Sequence, residues 1–536
     1  MTKYSKMVYG ETPQTEPMFG EKQVRNNAGG YVYKANEWDV LNRFLILGSE
    51  KNTYYVKAGE LTKENAQNVL NLIAKDGRRV VKEIVAISDA GRAPKNDSAI
   101  FALALCGAYG NDETRAEAFS ALPKVCRTAT HLFQFVDNIS NMRGWGKGLR
   151  KAVSKWYLNK DADSLVYQLI KYKNREGWTH KDVITLAHPK PVEDWQQFMF
   201  NTTVKGFDHF SAVRVSNGEN YIEKYIIGSN FSRYVAGGNV KRACELIEKY
   251  NFPREVVPTE MLNNPEIWDA LMSNNMPMTA MIRNLGKMSS IGYLTELSDA
   301  SRKICDMLTN KEVIKKARIH PINLLLAYNT YNRGCGFRGN LNWNPVQSVV
   351  SALQDAFYMA FDNIEPTGKR FFIGLDVSGS MSCECYEGIS SAMAGAVIGM
   401  SLMRSEKQVA MYGFANTFRN LRLNSRMSLD EIMRRTDSLS FGGTDCALPM
   451  RFALNNKIGV DDFVVITDNE TWAGRIHPKQ ALDKYRNATG IDAKLTVLAT
   501  TPTEFSIADS TKNYMLDISG FDSSVPKLVQ EFAKGF

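Results

Sequence analysis

No stretch of this chain approaches the roughly 20 consecutive apolar residues that a membrane span needs. The opening residues, Met1-Thr2-Lys3-Tyr4-Ser5, lead into no apolar run of signal-peptide length. The expectation is a cytoplasmic protein with no membrane partner. Cysteine is scarce, with eight in 536 residues, and no CxxC pair has zinc-site spacing, which argues against both a disulfide framework and a zinc site. The closest pair, Cys383 and Cys385, reads as two reduced loop thiols. A GxxxxGK[ST] phosphate loop and an HExxH pair are also missing, so nothing supports a nucleotide-driven motor or a zinc protease. Compositional bias is absent too: 23% charged and 44% hydrophobic residues match a globular protein rather than a disordered or fibrous one.

What is present is length, and a lopsided distribution of positive charge. A chain of 536 residues exceeds one hydrophobic core and should divide into two or more domains. The net charge of +9 lies entirely in residues 1–365, with 47 Lys plus Arg against 38 Asp plus Glu, whereas residues 366–536 hold 19 of each. Within the basic part, residues 121–190 carry 13 basic against 5 acidic side chains and three of the six histidines. Trp145, Trp156, Tyr157, Tyr167, Tyr172 and Trp178 are set among them. Cations neutralise phosphates and aromatic faces stack on unpaired bases, so the mixture suits single-stranded or irregular RNA. A stack of amphipathic helices with solvated basic faces and aromatic cores would give the same composition.

From about residue 37 to residue 360 apolar residues recur at helical spacing, and no strand ladder is evident. Helices are expected over 66–75, 79–89, 146–158, 165–172, 276–285 and 345–361. Many short helices with short connections suggest an α-solenoid of stacked helix pairs, without a clean sequence period. Residues 201–239 are the least regular stretch. The break between the two parts falls at Glu365-Pro366-Thr367-Gly368-Lys369-Arg370.

After that break the pattern changes to alternating strands and helices. Strands are expected at 371–375, 409–414, 463–467 and 494–499, with a small-residue helix over 389–403, as in a doubly wound α/β fold. Ligands in such sheets bind beyond the carboxyl ends of the strands, where Asp376 and Asp468 fall. Asp376-Val377-Ser378-Gly379-Ser380, Thr444 in Gly442-Gly443-Thr444-Asp445, and Asp468 in Thr467-Asp468-Asn469-Glu470 together offer an all-oxygen donor set. That set suits a hard divalent metal, with Mg²⁺ the expected ion. Hydrolysis would need a positioned base and usually a second metal, and only Glu384, Asp445 and Glu470 offer further carboxylates nearby in sequence.

The DxSxS turn, the Gly-Thr loop and the later Asp resemble the metal-ion-dependent adhesion site of von Willebrand factor A domains. More of the chain resembles the Ro ribonucleoprotein autoantigen family, whose members join a TROVE module to such a domain. The similarity runs through Gly30-Tyr31-Val32, Gly48-Ser49-Glu50 with Thr53-Tyr54-Tyr55, Cys126-Arg127 with Thr130-His131-Leu132-Phe133, and Trp145-Gly146 with Leu149-Arg150-Lys151-Ala152. It continues through Lys171-Tyr172-Lys173, Arg175, Gly177-Trp178, His180-Lys181-Asp182, Arg283 to Met288 and Lys316 to Pro321. Glu365 to Arg370, Gly442 to Cys446 and Thr467 to Thr471 complete it, while little matches between residues 201 and 239.

The resemblance implies a TROVE module over 1–365, whose HEAT-like helical repeats close into a ring, and a von Willebrand factor A-like domain over 366–536 that joins its ends. It implies a monomeric RNA-binding scaffold that holds small noncoding Y RNA on the outer surface and single-stranded ends of misfolded RNA in the central hole, for RNA quality control and stress survival. Lys171, Arg175 and His188 match positions of Y RNA contact. Arg127, His131, Arg143, Lys147, Arg150 and Lys151 belong to the same basic segment and are assigned to RNA with them. Lys147, Arg150 and Lys151 fall on one helix face, a geometry suited to a phosphate track. By the same analogy the metal takes a carboxylate from an exoribonuclease or another docking protein. A second reading is a metal-dependent protein-binding module in which the basic helices are only a scaffold, and a third is a metal-dependent hydrolase.

Overall fold

The computed structural model describes residues 10–48, 66–207, 219–274, 276–336, 340–361, 365–386, 388–437 and 442–535. The Ser49-Glu50 and Thr53-Tyr54-Tyr55 blocks, and residues 208–218 of the irregular stretch, lie outside them.

The described residues between 37 and 359 are mainly helical, with Glu37–Leu47, Gln67–Ala90, Asp97–Tyr109, Asp112–Val125, Ala129–Met142, Lys147–Leu158, Ala162–Lys171 and His180–Ala187 among the helices. Local chemistry sets their starts. Asn111, Thr128 and Asp161 each accept a hydrogen bond from the first-turn backbone, and Thr179 with Asp182 forms a reciprocal capping box. The helices expected at 66–75 and 79–89 are one element broken at Asp76, whose backbone leaves the helical region at φ −154°, ψ 71°. Most of these helices bury one stripe, but Asp97–Tyr109 buries nearly every side chain, as a helix surrounded by neighbours must.

The helical path returns to its start. Arg318 bonds the Asp89 carboxylate at 3.3 Å, His320 Nε2 meets the Arg92 carbonyl at 3.2 Å, and Asn323 donates to the Pro94 carbonyl at 3.4 Å. Both ends of the path also touch the C-terminal domain. Arg43, 1% exposed, donates to the carbonyl of Phe505 at 2.8 Å and pairs with Asp517. Arg92 pairs with Asp522 at 3.0 Å, and Gln354 accepts from the Leu429 backbone at 2.9 Å. The helical solenoid is thereby closed, with the α/β domain bridging its two ends.

Among the described residues before 365, two short hairpins stand beside the helices. β1 (Gln23–Arg25) and β2 (Tyr31–Lys34) form an antiparallel hairpin. β3 (Asn174–Arg175) and β4 (Trp178–Thr179) form a second, a short strand pair within the 37–360 stretch where no strand ladder was evident. Its turn places Glu176 at φ 51° and Gly177 at φ 78°, the two positive φ values of a tight hairpin turn. Within the irregular stretch, Glu219–Ser229 is a regular helix.

The C-terminal sheet is built from β5 (Arg370–Asp376), β8 (Gln408–Phe414), β9 (Phe418–Asn420), β10 (Asp462–Thr467), β11 (Lys494–Ala499) and β13 (Met515–Ser519), in the order β13-β11-β10-β5-β8-β9. All neighbours are parallel except the edge strand β9. A short hairpin, β6 (Glu384–Tyr386) with β7 (Ile389–Ser390), precedes the helix Ser391–Ser405, so that helix starts two residues after the expected point. Its small residues serve close packing: a Cβ on Gly395 would fall 2.7 Å from Ile466, and one on Gly399 2.8 Å from Met411. β12 (Phe505–Ser506) pairs with β2. The N-terminal hairpin, which the sequence division counts with the helices, therefore packs on the α/β domain.

Candidate functional site

The sheet order fixes where the metal-type residues meet. From β5 the chain crosses to β8 on one side, then returns past β5 to β10 on the other, so the order reverses between β5 and β10. The carboxyl ends at such a reversal leave an open crevice. Ile466 of β10 stands opposite Leu375 of β5, which brings Thr467 and Asp468 beside Asp376.

Asp376, Ser378, Ser380, Thr444 and Asp468 are all buried. Asp376 accepts from the Ser378 backbone at 2.9 Å and from the Thr467 hydroxyl at 2.6 Å. The hydroxyls of Ser378 and Ser380 are 3.2 Å apart. Asp468 accepts from the Glu470 backbone at 3.0 Å. The Thr444 carbonyl takes the N–H groups of Trp472 and Ala473, each at 2.9 Å, which locks the Gly-Thr loop to the loop after β10. Burial and then the neighbouring Asp468 charge push the Asp376 carboxyl upward, the direction expected of two acids sharing a dry site. A hard cation would relieve that repulsion, and two carboxylates with three hydroxyls are the donors such a cation prefers, so the residues present fit one. Among the described residues no group of three or more His, Cys, Asp or Glu gathers in metal-holding geometry.

Sequence reasoning missed a ring of residues around the site. Gln14 donates to Asp445 at 2.8 Å and accepts from Thr471 at 2.5 Å. Asn26 donates to the Thr471 carbonyl at 2.8 Å. Asn27 and the Ala28 backbone donate to the two oxygens of Glu470, at 2.6 and 3.0 Å. They lie more than 400 residues away in sequence, so no local spacing announces them.

The basic segment separates into a surface and a core. Trp156 and Tyr157 are buried. The indole of Trp156 donates to the Cys126 carbonyl, and the Tyr157 hydroxyl meets His180 Nδ1 at 2.9 Å. Trp145, Tyr167, Tyr172 and Trp178 are half-buried. The aromatic residues are thus largely packing, while most of the cations point to solvent. Lys147, Arg150 and Lys151 are exposed along the helix Lys147–Leu158. Trp145 packs on Trp178, ring centroids 6.2 Å apart, and this seats the β3–β4 hairpin, with exposed Arg175, at the start of that helix. Ser154 on the same helix donates to the Ala187 carbonyl at 2.9 Å. His188, which follows, is exposed and closes the helix His180–Ala187 in the left-handed region at φ 49°, ψ 56°. It is a helix-end residue and also a neighbour of the basic face. Arg143 is exposed at the segment's start, with one nitrogen on the Ala108 carbonyl at 3.1 Å.

Lys171, Arg127 and His131 are not on that face. The Lys171 side chain is only 12% exposed, donates to the Tyr167 hydroxyl at 2.6 Å and lies against the Tyr167 and Tyr172 rings. Arg127 bonds Ser88 and the Lys124 carbonyl. His131 is half-buried with an unpartnered Nδ1, and burial, followed by the Arg127 charge, pushes its pKa down to about 4.

Comparison with known proteins covers both parts. A TROVE domain model matches residues 24–224 and 247–332, and a Ro60 vWA domain model matches residues 370–533. The gap in the first falls at 225–246, so residues 201–224, where little resemblance was expected, do match the family. The chain is 37% identical to the RNA-binding protein RO60 of Caenorhabditis elegans, over 96% of this chain and 90% of the relative. It is 38% identical to RNA-binding protein RO60 of Deinococcus radiodurans, over 98% and 97%. The crystal structure of the Deinococcus radiodurans RO (RSR) protein superposes with a TM-score of 0.71 at 36% identity, covering 93% of this chain and 100% of that one. No helix among the described residues is long and apolar enough to cross a membrane.

Proposed function

The chain belongs to the Ro60 family, whose members pair a TROVE domain with a Ro60 vWA domain, and from that premise we propose that it is a noncatalytic RNA-binding scaffold. Its ligands are small noncoding Y RNA on the outer basic surface and single-stranded ends of misfolded RNA within the helical ring, and its role is RNA quality control in the cytoplasm. The observation that carries this reading is the contiguous exposed cationic face of Lys147, Arg150 and Lys151, flanked by the Arg175 hairpin and by His188. Cations at helical spacing track a phosphate backbone, while His188 donates to or stacks on a base. Lys171 anchors the segment leading into the hairpin through Tyr167, His131 is half-buried among the helices, and exposed Arg127 ties its own turn to Ser88.

The α/β domain supplies a protein-docking point in this reading. Asp376, Ser378, Ser380, Thr444 and Asp468 would hold Mg²⁺, which when bound supplies an electron-poor position for a carboxylate of an exoribonuclease or another partner. The noncatalytic reading gives two of the three nearby acids a structural role. Asp445 accepts from Gln14 and the Ala447 backbone and Glu470 from Asn27 and Ala28, bonds that assign these two acids to tying the loops together. The experiment is to sequence the RNA that copurifies with the native protein. Enrichment of one or a few small structured noncoding RNAs and of aberrant RNA ends is expected. Recovery of protein partners with RNA at background level would favour the metal-dependent protein-binding reading instead.

A further inference from the structure

We infer that the N-terminal segment from Thr12 to Gly30 is a built-in part of the metal-type site, with Gln14 as the positioning residue that holds its donor loops together. Gln14 is wholly buried, and its amide is fully used. Nε2 donates to Asp445 Oδ1 at 2.8 Å and to the Ile476 carbonyl at 2.9 Å, while Oε1 accepts from the Thr471 hydroxyl at 2.5 Å and the Gly474 N–H at 3.2 Å. Asp445 follows the donor Thr444, and Thr471 stands three residues beyond the donor Asp468. One side chain therefore bonds both donor loops.

The same segment grips the second loop at further points. Asn26 donates to the carbonyls of Asn469 and Thr471, at 3.3 and 2.8 Å, and Asn27 with Ala28 binds both oxygens of Glu470. The approach is close enough that a Cβ on Gly30 would fall 1.9 Å from the Thr471 carbonyl oxygen. Outer residues that orient metal ligands matter because hydroxyl and carboxylate donors bind well only when held in place before the ion arrives. Losing such support costs on the order of 10-fold to 100-fold in metal affinity.

The inference rests on the metal reading of the preceding section, and one titration separates the two. The full chain, stripped with a chelator, is titrated with Mn²⁺ and followed by electron paramagnetic resonance, alongside Gln14→Ala and Lys484→Ala. Lys484→Ala removes the exposed ion pair with Glu11 in the same N-terminal region and controls for general loosening. Metal-free melting of each variant is recorded. Expected are saturable binding by the wild type, the same affinity in Lys484→Ala, and at least about a 10-fold weaker affinity in Gln14→Ala. If Gln14→Ala does not fold, Gln14→Glu, which keeps the shape but presents oxygen where the amide donor faced Asp445, is expected to weaken binding likewise. Wild-type affinity in a folded Gln14 variant overturns the inference and leaves the metal reading intact. Absence of Mn²⁺ binding in the wild type overturns both.

Discussion

Trp145 and Trp178 lie with their rings 6.2 Å apart, and the Trp178 indole donates to Asp137 at 3.1 Å. This contact joins a helical turn to a two-strand hairpin and so makes one surface from cations that sequence order separates by almost 30 positions. Trp178→Ala is predicted to cost about 2–3 kcal/mol of stability through lost packing and the lost indole hydrogen bond. RNA affinity should fall further than in Arg175→Ala alone, because the whole hairpin shifts. Chemical denaturation and filter binding on the same two variants check this.

Lys171 and Arg175 are predicted to behave differently although both belong to the basic segment. Arg175 is exposed and paired with its neighbour Glu176 at 2.9 Å, so Arg175→Ala should change stability by no more than about 0.5 kcal/mol. It should also reduce the slope of log affinity against log salt by about one contact. Lys171→Ala removes the bond to Tyr167 and the contact with two rings, and should lower the melting temperature. Melting curves and salt titrations of the two single variants separate these outcomes, and equal melting temperatures would count against the assignment.

The fold was legible where one local pattern decides it. Apolar runs ending at Asp376 and before Asp468 announce buried parallel strands, and apolar residues at helical spacing announce helices such as Lys147–Leu158. The metal-type donors were legible for the same reason, since each sits at the end of a predictable strand or in a glycine loop. The β3–β4 hairpin escaped notice because two-residue strands have no periodicity. Gln14, Asn26 and Asn27 escaped because their role depends on contacts across more than 400 residues. Composition also could not divide the aromatics of residues 121–190, where Trp156 and Tyr157 proved to be core because their polar atoms find partners at Cys126 and His180.

His180 gives a pH prediction. It is buried between Tyr157 and the Gln168 carbonyl, and burial holds its pKa down to about 4 from the usual 6.5. The unfolded chain therefore takes up a proton at higher pH than the folded one. The stability from the neutral ring is complete above pH 6.5 and is lost progressively as pH falls toward 4. Melting temperature should decline across that window, and His180→Gln should flatten part of the decline. An unchanged profile in a folded His180→Gln would remove His180 as a cause.

Gly30→Ala is predicted to destabilise the N-terminal hairpin, because its Cβ meets backbone at the Thr471 carbonyl rather than a yielding side chain. A cost of about 1–3 kcal/mol is expected for such overpacking. Hydrogen exchange should increase in residues 23–34 and 468–474 together, and exchange confined to the hairpin alone would argue against the coupling.

The central claim is that the exposed face of the helix Lys147–Leu158 is the RNA surface. Its most direct test is the affinity of the wild type and of the triple variant Lys147→Ala, Arg150→Ala, Lys151→Ala for a copurifying RNA, measured across a range of KCl concentrations. Binding by the wild type is expected to be steeply salt-dependent, and the triple variant to fold normally, bind more weakly and show a slope lower by roughly two to three phosphate contacts. Equal affinity and equal slope in the two proteins would contradict it.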